Sequence, residues 1–179
     1  GGTITDAAGG AAGAASGDLG TVSVDGAVPT FTSVAATDAA YGVGETLSIT
    51  VTWGEAVVVS GTPTLTLSNG DAASYVSGSG STALVFTTAV VEGDSDSSDL
   101  SVSSFSGTIT DAAGGAAAAA SGDLGSVTID GDAPDLVSVA DPCDAVRGVG
   151  ETHVITVPYD ESVITSNASL TLPTSASAV

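Results

Sequence analysis

The chain repeats itself over a long and nearly constant distance. Residues 2–10, Gly-Thr-Ile-Thr-Asp-Ala-Ala-Gly-Gly, return unchanged as residues 107–115. Residues 16–20 return 105 positions later, and residues 42–46 return 106 positions later. A fixed long period indicates an array of one folding unit, because each copy of the sequence builds the same structure. The repeat therefore predicts one complete unit flanked by parts of two others.

Alternation of apolar and polar residues predicts that the unit is made of β-strands. In residues 46–53 every second position is apolar, so Leu47, Ile49, Val51 and Trp53 share one face of a half-buried strand. The same pattern or a comparable short run, bounded by turn residues, predicts further strands at 30–35, 64–67, 73–76, 83–90, 100–105, 107–110 and 126–130. About seven to nine short strands in a unit of this size fit an Ig-like sandwich.

Two Ala/Gly-rich stretches, residues 7–16 and 112–121, interrupt the strands. Each glycine costs about 1 kcal/mol relative to alanine in a helix interior, so both stretches are predicted to be long loops. Neither they nor any other segment forms an apolar run long enough to span a bilayer. We therefore expect no membrane insertion within this sequence.

Two linkers carrying Gly and Pro divide the chain: the first linker is residues 24–29 and the second is residues 129–134. The predicted domains are 1–28, the C-terminal part of a unit; 29–133, a complete unit; and 134–179, the N-terminal part of the next. The two partial units hold too few strands to bury a core alone. We therefore expect residues 1–28 and 136–179 to contact polypeptide outside this sequence.

The order of the motifs resembles a known family. Gly-Thr-Ile-Thr-Asp-Ala-Ala-Gly, Asp-Gly-x-x-Pro, Tyr-Gly-Val-Gly-Glu-Thr-Leu, Glu-Ala-Val and Gly-Thr-Pro-Thr-Leu-Thr-Leu follow one another along the chain. They are similar to the Ig-like or cadherin-like tandem repeats of giant extracellular surface proteins, such as bacterial adhesins and large algal or microbial proteins. The resemblance implies an all-β fold of tandem antiparallel β-sandwiches, an extracellular or cell-surface location, and a mechanical or adhesive role.

The charge balance narrows the possible partners. Twenty-one carboxylates stand against the single basic residue Arg147, which gives a net charge of −20. Nucleic acids and anionic lipids bind proteins through Lys and Arg, so both are excluded as electrostatic partners. The expected partners are other copies or other parts of the same large protein, and glycans. A strongly acidic surface also favours cation binding.

Calcium is the one cofactor for which the residues give an argument, because Ca²⁺ prefers carboxylate and carbonyl oxygens. Asp130, Asp132 and Asp135 converge on the second linker, and Glu151 of the following loop is a possible fourth ligand. The first linker has an acidic residue at only one of the matching linker positions, Asp25. This difference argues against a calcium site that both linkers share. A second acidic group in residues 92–99 lacks the spacing of an EF-hand loop and is predicted to be a solvated turn.

Three single residues are candidates for modification or chemistry. Cys143 is the only cysteine, so any disulfide must be intermolecular or reach a distant part of the polypeptide. Asn167 begins an Asn-Ala-Ser sequon and is a possible glycosylation site. His153, the only imidazole, stands where the previous unit has Leu47, and no motif supplies catalytic partners for it. No catalytic residue is predicted, and we expect the protein not to be an enzyme.

Two functions fit these patterns. The first is a structural building block, the shaft or wall of an extracellular filament, sheath or surface layer. The alternative is an adhesin-type binding module for glycans or a partner protein, with calcium as a stiffening ion. A binding module needs exposed aromatic or convergent polar groups. Trp53 is expected in the core, which leaves Tyr41 and Tyr75 as candidates.

Overall fold

A computed structural model of the chain describes residues 4–13, 17, 21–139, 150, 152, 154–166 and 168–170. These residues contain eight β-strands and no helix, and therefore none that could cross a membrane. The strands are β1 (Phe31–Ala36), β2 (Ala40–Tyr41), β3 (Thr46–Leu67), β4 (Ala72–Ser77), β5 (Ser81–Ala89), β6 (Ser101–Thr110), β7 (Gly122–Asp123) and β8 (Thr128–Ile129). The predicted all-β class is confirmed, and the antiparallel sheet is consistent with a β-sandwich.

The long strand β3 organises the sheet, because its two halves have different neighbours. The first half pairs with β1 on one side and β5 on the other. The second half pairs with β6 and β4. The register shifts between Thr52 and Val57 opposite β5, and between Ser60 and Thr64 opposite β6. Such irregularities bend a strand and increase its twist, which allows one strand to serve both parts of the sheet.

The core lies inside this folded sheet and follows the predicted alternation. Leu47, Ile49, Val51 and Trp53 are all buried, as the period-2 pattern predicted. They pack with the inward residues of the other strands and loops: Val57, Leu65, Leu67, Ala73, Leu84, Phe86, Val90, Leu100, Val102, Ile109, Ala120, Leu124, Val127 and Ile129. Phe86 meets Tyr75 and Phe105 edge to face, with ring centroids 5.8 and 6.4 Å apart. One contiguous core therefore extends from Phe31 to Ile129.

The Ala/Gly-rich segment after β6 is a loop, as predicted, and it covers one end of the core. The backbone carbonyl of Ala118 accepts a hydrogen bond from the Trp53 indole nitrogen at 3.2 Å. The amide of the same residue donates to the Pro29 carbonyl at 2.9 Å. The loop is thereby tied both to β3 and to the end of the first linker.

The repeated sequence forms repeated local structure. The turn after Ile109 joins the Asp111 amide to the Gly115 carbonyl at 2.9 Å, and the turn after Ile4 joins the Asp6 amide to the Gly10 carbonyl at the same distance. A β-bridge closes each turn, between Thr110 and Ala116 and between Thr5 and Ala11. The equivalence covers short elements, and the division into units at 1–28, 29–133 and 134–179 stays a prediction.

Candidate cation site at the first linker

Three carboxylates that are far apart in the sequence meet beside the first linker. They belong to Asp25 in the first linker, Glu55 in the middle of β3, and Asp111 directly after β6. One oxygen from each side chain lies within 4.8 Å of the other two. No other three His, Cys, Asp or Glu side chains come this close together within the part of the chain that the structure describes.

Asp111 is the buried member of this cluster, with 4% of its surface exposed. Its Oδ1 accepts hydrogen bonds from the backbone amides of Ala113 at 2.7 Å and Gly115 at 2.8 Å, which hold the turn after β6. Its Oδ2 is buried and has no hydrogen-bond partner. An unpaired buried polar atom costs free energy, and the cost is greater when the group is ionised.

Gly115 shows where this unpaired oxygen lies. A Cβ at this position would overlap Asp111 Oδ2 and would stand 3.2 Å from the carbonyl oxygen of Ala27 in the first linker. Because Gly115 has no side chain, the turn and the first linker can approach each other closely here. Asp111 Oδ2 lies on the side of the turn that faces the linker.

One hydrogen bond directly after the first linker and one within it help to position the other two carboxylates. The Gly54 amide in β3 donates to the Thr30 carbonyl at 2.9 Å, directly beside the half-buried Glu55. Asp25 is exposed, and its Oδ1 accepts the Ala27 amide at 3.1 Å, which closes a local turn in the linker. The linker thus places a carboxylate and a carbonyl beside Asp111.

A second group of acidic residues surrounds the second linker. One cleft is lined by Glu92, Asp132, Asp135, Asp160 and Glu161, so two of the predicted calcium ligands share a cleft. Partial desolvation, followed by the charges of Asp130, Asp160, Asp132 and Asp96, raises the pKa of the exposed Glu161. Glu151 lies outside the described residues, and calcium binding at this linker stays a prediction.

The acidic turn at residues 92–99 is mostly exposed, as predicted, and it also fastens the second linker. Asp96 accepts the Gly131 amide at 2.8 Å, and Glu92 accepts the Ala133 amide at 3.1 Å. The Gly93 amide donates to the Gly131 carbonyl at 2.9 Å. The carboxylates of this turn therefore hold the middle of the second linker against the turn.

Sequence reasoning missed Glu55 and Asp111, although the repeat contained a signal for both. Asp111 matches Asp6, Glu55 matches Glu161, and Asp25 matches Asp130, each at the period of the repeat. All three members of the cluster are thus acidic wherever the chain has a second copy. The two linker sequences by themselves do not contain this signal, because two of the three carboxylates lie outside the linkers.

The remaining predicted residues divide into two groups. Cys143, His153 and Asn167 lie outside the described residues, as does Arg147. The aromatic candidates are described: Trp53 is buried as predicted, the Tyr75 hydroxyl accepts the Ser79 amide at 3.0 Å, and the Tyr41 hydroxyl donates to the Thr37 carbonyl at 3.2 Å.

No family model, curated protein or solved structure matches the chain.

Proposed function

We propose that the chain is a structural building block of tandem Ig-like β-sandwich units, which form the shaft or wall of an extracellular filament, sheath or surface layer. The observation that carries the proposal is that equivalent hydrogen bonds occur at the start of both units. The Gly54 amide donates to the Thr30 carbonyl at 2.9 Å, and one period later the Asp160 amide donates to the Asp135 carbonyl at 3.1 Å.

The strand pairing beside these bonds also recurs. Phe31 of β1 pairs with Trp53 of β3, and one period later Leu136 forms a β-bridge with Tyr159. Asp25 and Asp130 each accept the amide two residues ahead, at 3.1 and 3.3 Å. A segment that begins its fold in the same way as the complete unit supports an array of similar units.

The hydrogen bonds that hold the second linker favour a rigid shaft or wall over domains joined by a flexible tether. A Gly/Ser-rich linker behaves as a random coil and leaves its domains free to rotate. Here hydrogen bonds to the acidic turn hold Gly131 and Ala133 of the second linker, so the first residues of this linker keep a defined direction. A defined exit from each unit is what an extended, load-bearing array requires.

The aromatic side chains favour this role over the adhesin alternative. Glycan binding commonly uses exposed aromatic rings together with convergent polar groups. Trp53 is buried, and the hydroxyl of Tyr75 is engaged in the hairpin between β4 and β5. Both side chains therefore make structural contacts within the fold.

Labelling of intact cells tests the proposal. An antibody raised against the chain is expected to decorate unpermeabilised cells of the producing organism, along filaments or a surface layer seen by electron microscopy. Labelling that appears only after permeabilisation would overturn the extracellular role. Specific binding to a glycan array that is lost in a Tyr75→Ala variant, with the fold retained, would replace the structural role with the adhesin alternative.

A further inference from the structure

We propose that Asp25, Glu55 and Asp111 bind one divalent cation, Ca²⁺ in preference to Mg²⁺, which ties the first linker to the complete unit. The ion would take one carboxylate from the linker, one from β3 and one from the turn after β6. Binding at this cluster is independent of the proposed function. Its consequence, a stiffer joint between units, rests on that function.

The unpaired oxygen of Asp111 is the first argument. Two backbone amides donate to Oδ1, so Oδ2 is the oxygen that can still bind a ligand. Oδ2 is buried and faces the first linker. Buried polar groups in proteins are nearly always paired with protein, water or an ion. An ion bound beside Oδ2 gives this atom the partner it lacks.

The second argument is charge. Three carboxylates close together repel one another unless a positive group lies between them. The described residues include no Lys or Arg, because the only basic side chain of the protein is Arg147, outside that part of the chain. No side chain among the described residues can supply this positive charge, so we infer that it comes from a cation in solution.

The third argument is the chemistry of the ligands. Carboxylate oxygens are hard donors, and the Ala27 carbonyl beside the turn is available as another. Ca²⁺ accepts such mixed sets in irregular arrangements and completes its shell with water, whereas Mg²⁺ demands a nearly ideal octahedron. A set drawn from a linker, a strand and a turn suits the more tolerant ion.

Terbium luminescence can report on this cluster, because Trp53 is the only tryptophan and lies two residues from Glu55 in β3. With excitation selective for tryptophan, added Tb³⁺ is expected to give saturable emission that Ca²⁺ reverses. Mg²⁺ should need at least a tenfold higher concentration for the same effect. Equal competition by the two ions would overturn the preference for Ca²⁺.

Two variants and a matched control locate the ion. Asp111→Asn keeps an oxygen for the turn but removes the charge, and it should weaken Tb³⁺ and Ca²⁺ binding at least tenfold. Glu55→Gln, at a half-buried position where folding is less at risk, should do the same. Asp6→Asn makes the same change in the identical sequence of the other copy and should leave the Trp53-sensitised emission unchanged.

The proposal fails if the wild-type chain gives no sensitised emission, or if both Asp111→Asn and Glu55→Gln bind as the wild type does. Loss of emission in the Asp6 variant would also overturn it, since the ion would then lie elsewhere. The outcome is separable from the test of function. Cell labelling does not depend on Ca²⁺, and Tb³⁺ binding does not depend on where the protein is located.

Discussion

The two copies of the Gly-Thr-Ile-Thr-Asp-Ala-Ala-Gly-Gly sequence form the same turn in different surroundings. In each copy the aspartate Oδ1 accepts the amides two and four residues ahead, at 2.7 to 2.9 Å. Yet Ile109 is 3% exposed, whereas Ile4 at the equivalent position is 76% exposed. Val127 and Ile129 are likewise buried, while their counterparts Val22 and Val24 are exposed.

The difference shows that the local sequence specifies the turn, whereas burial requires packing against distant parts of the chain. The turn depends on an aspartate that bonds its own backbone and on nearby glycines, so it forms in both places. Burial depends on distant strands: Ile109 pairs with Val59 of β3, and Ile129 exchanges backbone bonds with Ser97. Among the described residues, the identical sequence therefore forms the same turn in both copies but contributes to the core in only one.

The largest expected effect comes from removing the buried side chain at one of the two equivalent positions. Ile109→Ala should lower the free energy of unfolding of the complete unit by about 2–5 kcal/mol, because it removes buried methyl groups and leaves a cavity. Chemical denaturation followed by Trp53 fluorescence measures this change, since the indole lies in the same core.

Ile4→Ala is the matched control for that substitution. In the chain of 179 residues it should change the free energy of unfolding by no more than about 0.5 kcal/mol, as expected for an exposed side chain. Equal destabilisation by the two variants would show that residues 4–13 pack on the unit, and the comparison between the two copies would then fail.

The two linkers permit a second test of the same kind at equivalent glycines. A Cβ at Gly131 would overlap the Asp94 carbonyl oxygen of the acidic turn, while a Cβ at Gly26 meets no atom within 4 Å. Gly131→Ala should therefore cost roughly 1–3 kcal/mol, the usual range for overpacking, and expose the Gly131 and Ala133 amides to hydrogen exchange.

Gly26→Ala supplies the reference for this pair. Neither glycine needs a left-handed backbone, so the two substitutions differ in the space available rather than in conformational strain. The expected change for Gly26→Ala is within about 0.5 kcal/mol of the wild type. If hydrogen exchange at the second linker were unaffected by Gly131→Ala, the acidic turn would not hold the linker in solution.

Sequence patterns predicted most of the strands but not how they join. The alternation in residues 46–53 and 64–67 was read correctly, and both runs are parts of the single strand β3. The residues between them include Gly54, Gly61 and Pro63, which normally weaken a strand. They nevertheless belong to β3 because neighbouring positions pair with β5 and β6 and the Gly54 amide donates to the Thr30 carbonyl, and those partners are distant in sequence.

The candidate site was hidden for the same physical reason. Asp25, Glu55 and Asp111 become neighbours only when the linker lies across β3 and the turn after β6, and no local pattern encodes that crossing. The sequence pattern instead favoured the acidic residues of the second linker, because they lie close together in the sequence. The better signal was an acidic residue that recurs at the equivalent position of each copy. Such residues share a role even when they lie in different segments of the chain.

The smallest expected effect concerns Glu161, the counterpart of Glu55 at the second linker. Its pKa is raised by partial desolvation and then by nearby carboxylates, of which Asp130 contributes most. The folded chain thus binds this proton at a higher pH than the unfolded chain does. The resulting penalty on stability is present above the folded pKa and is relieved as the pH falls through it.

An NMR titration of the Glu161 side-chain carboxyl carbon measures this coupling directly. Asp130→Asn should lower the pKa of Glu161, because one of the repelling charges is removed. Asp25→Asn makes the same change at the first linker and should leave the Glu161 titration unchanged. Because Glu161 is exposed, we expect only a small change in overall stability. A titration that is the same in the wild type and Asp130→Asn would show that Asp130 and Glu161 do not approach each other as Asp25 and Glu55 do.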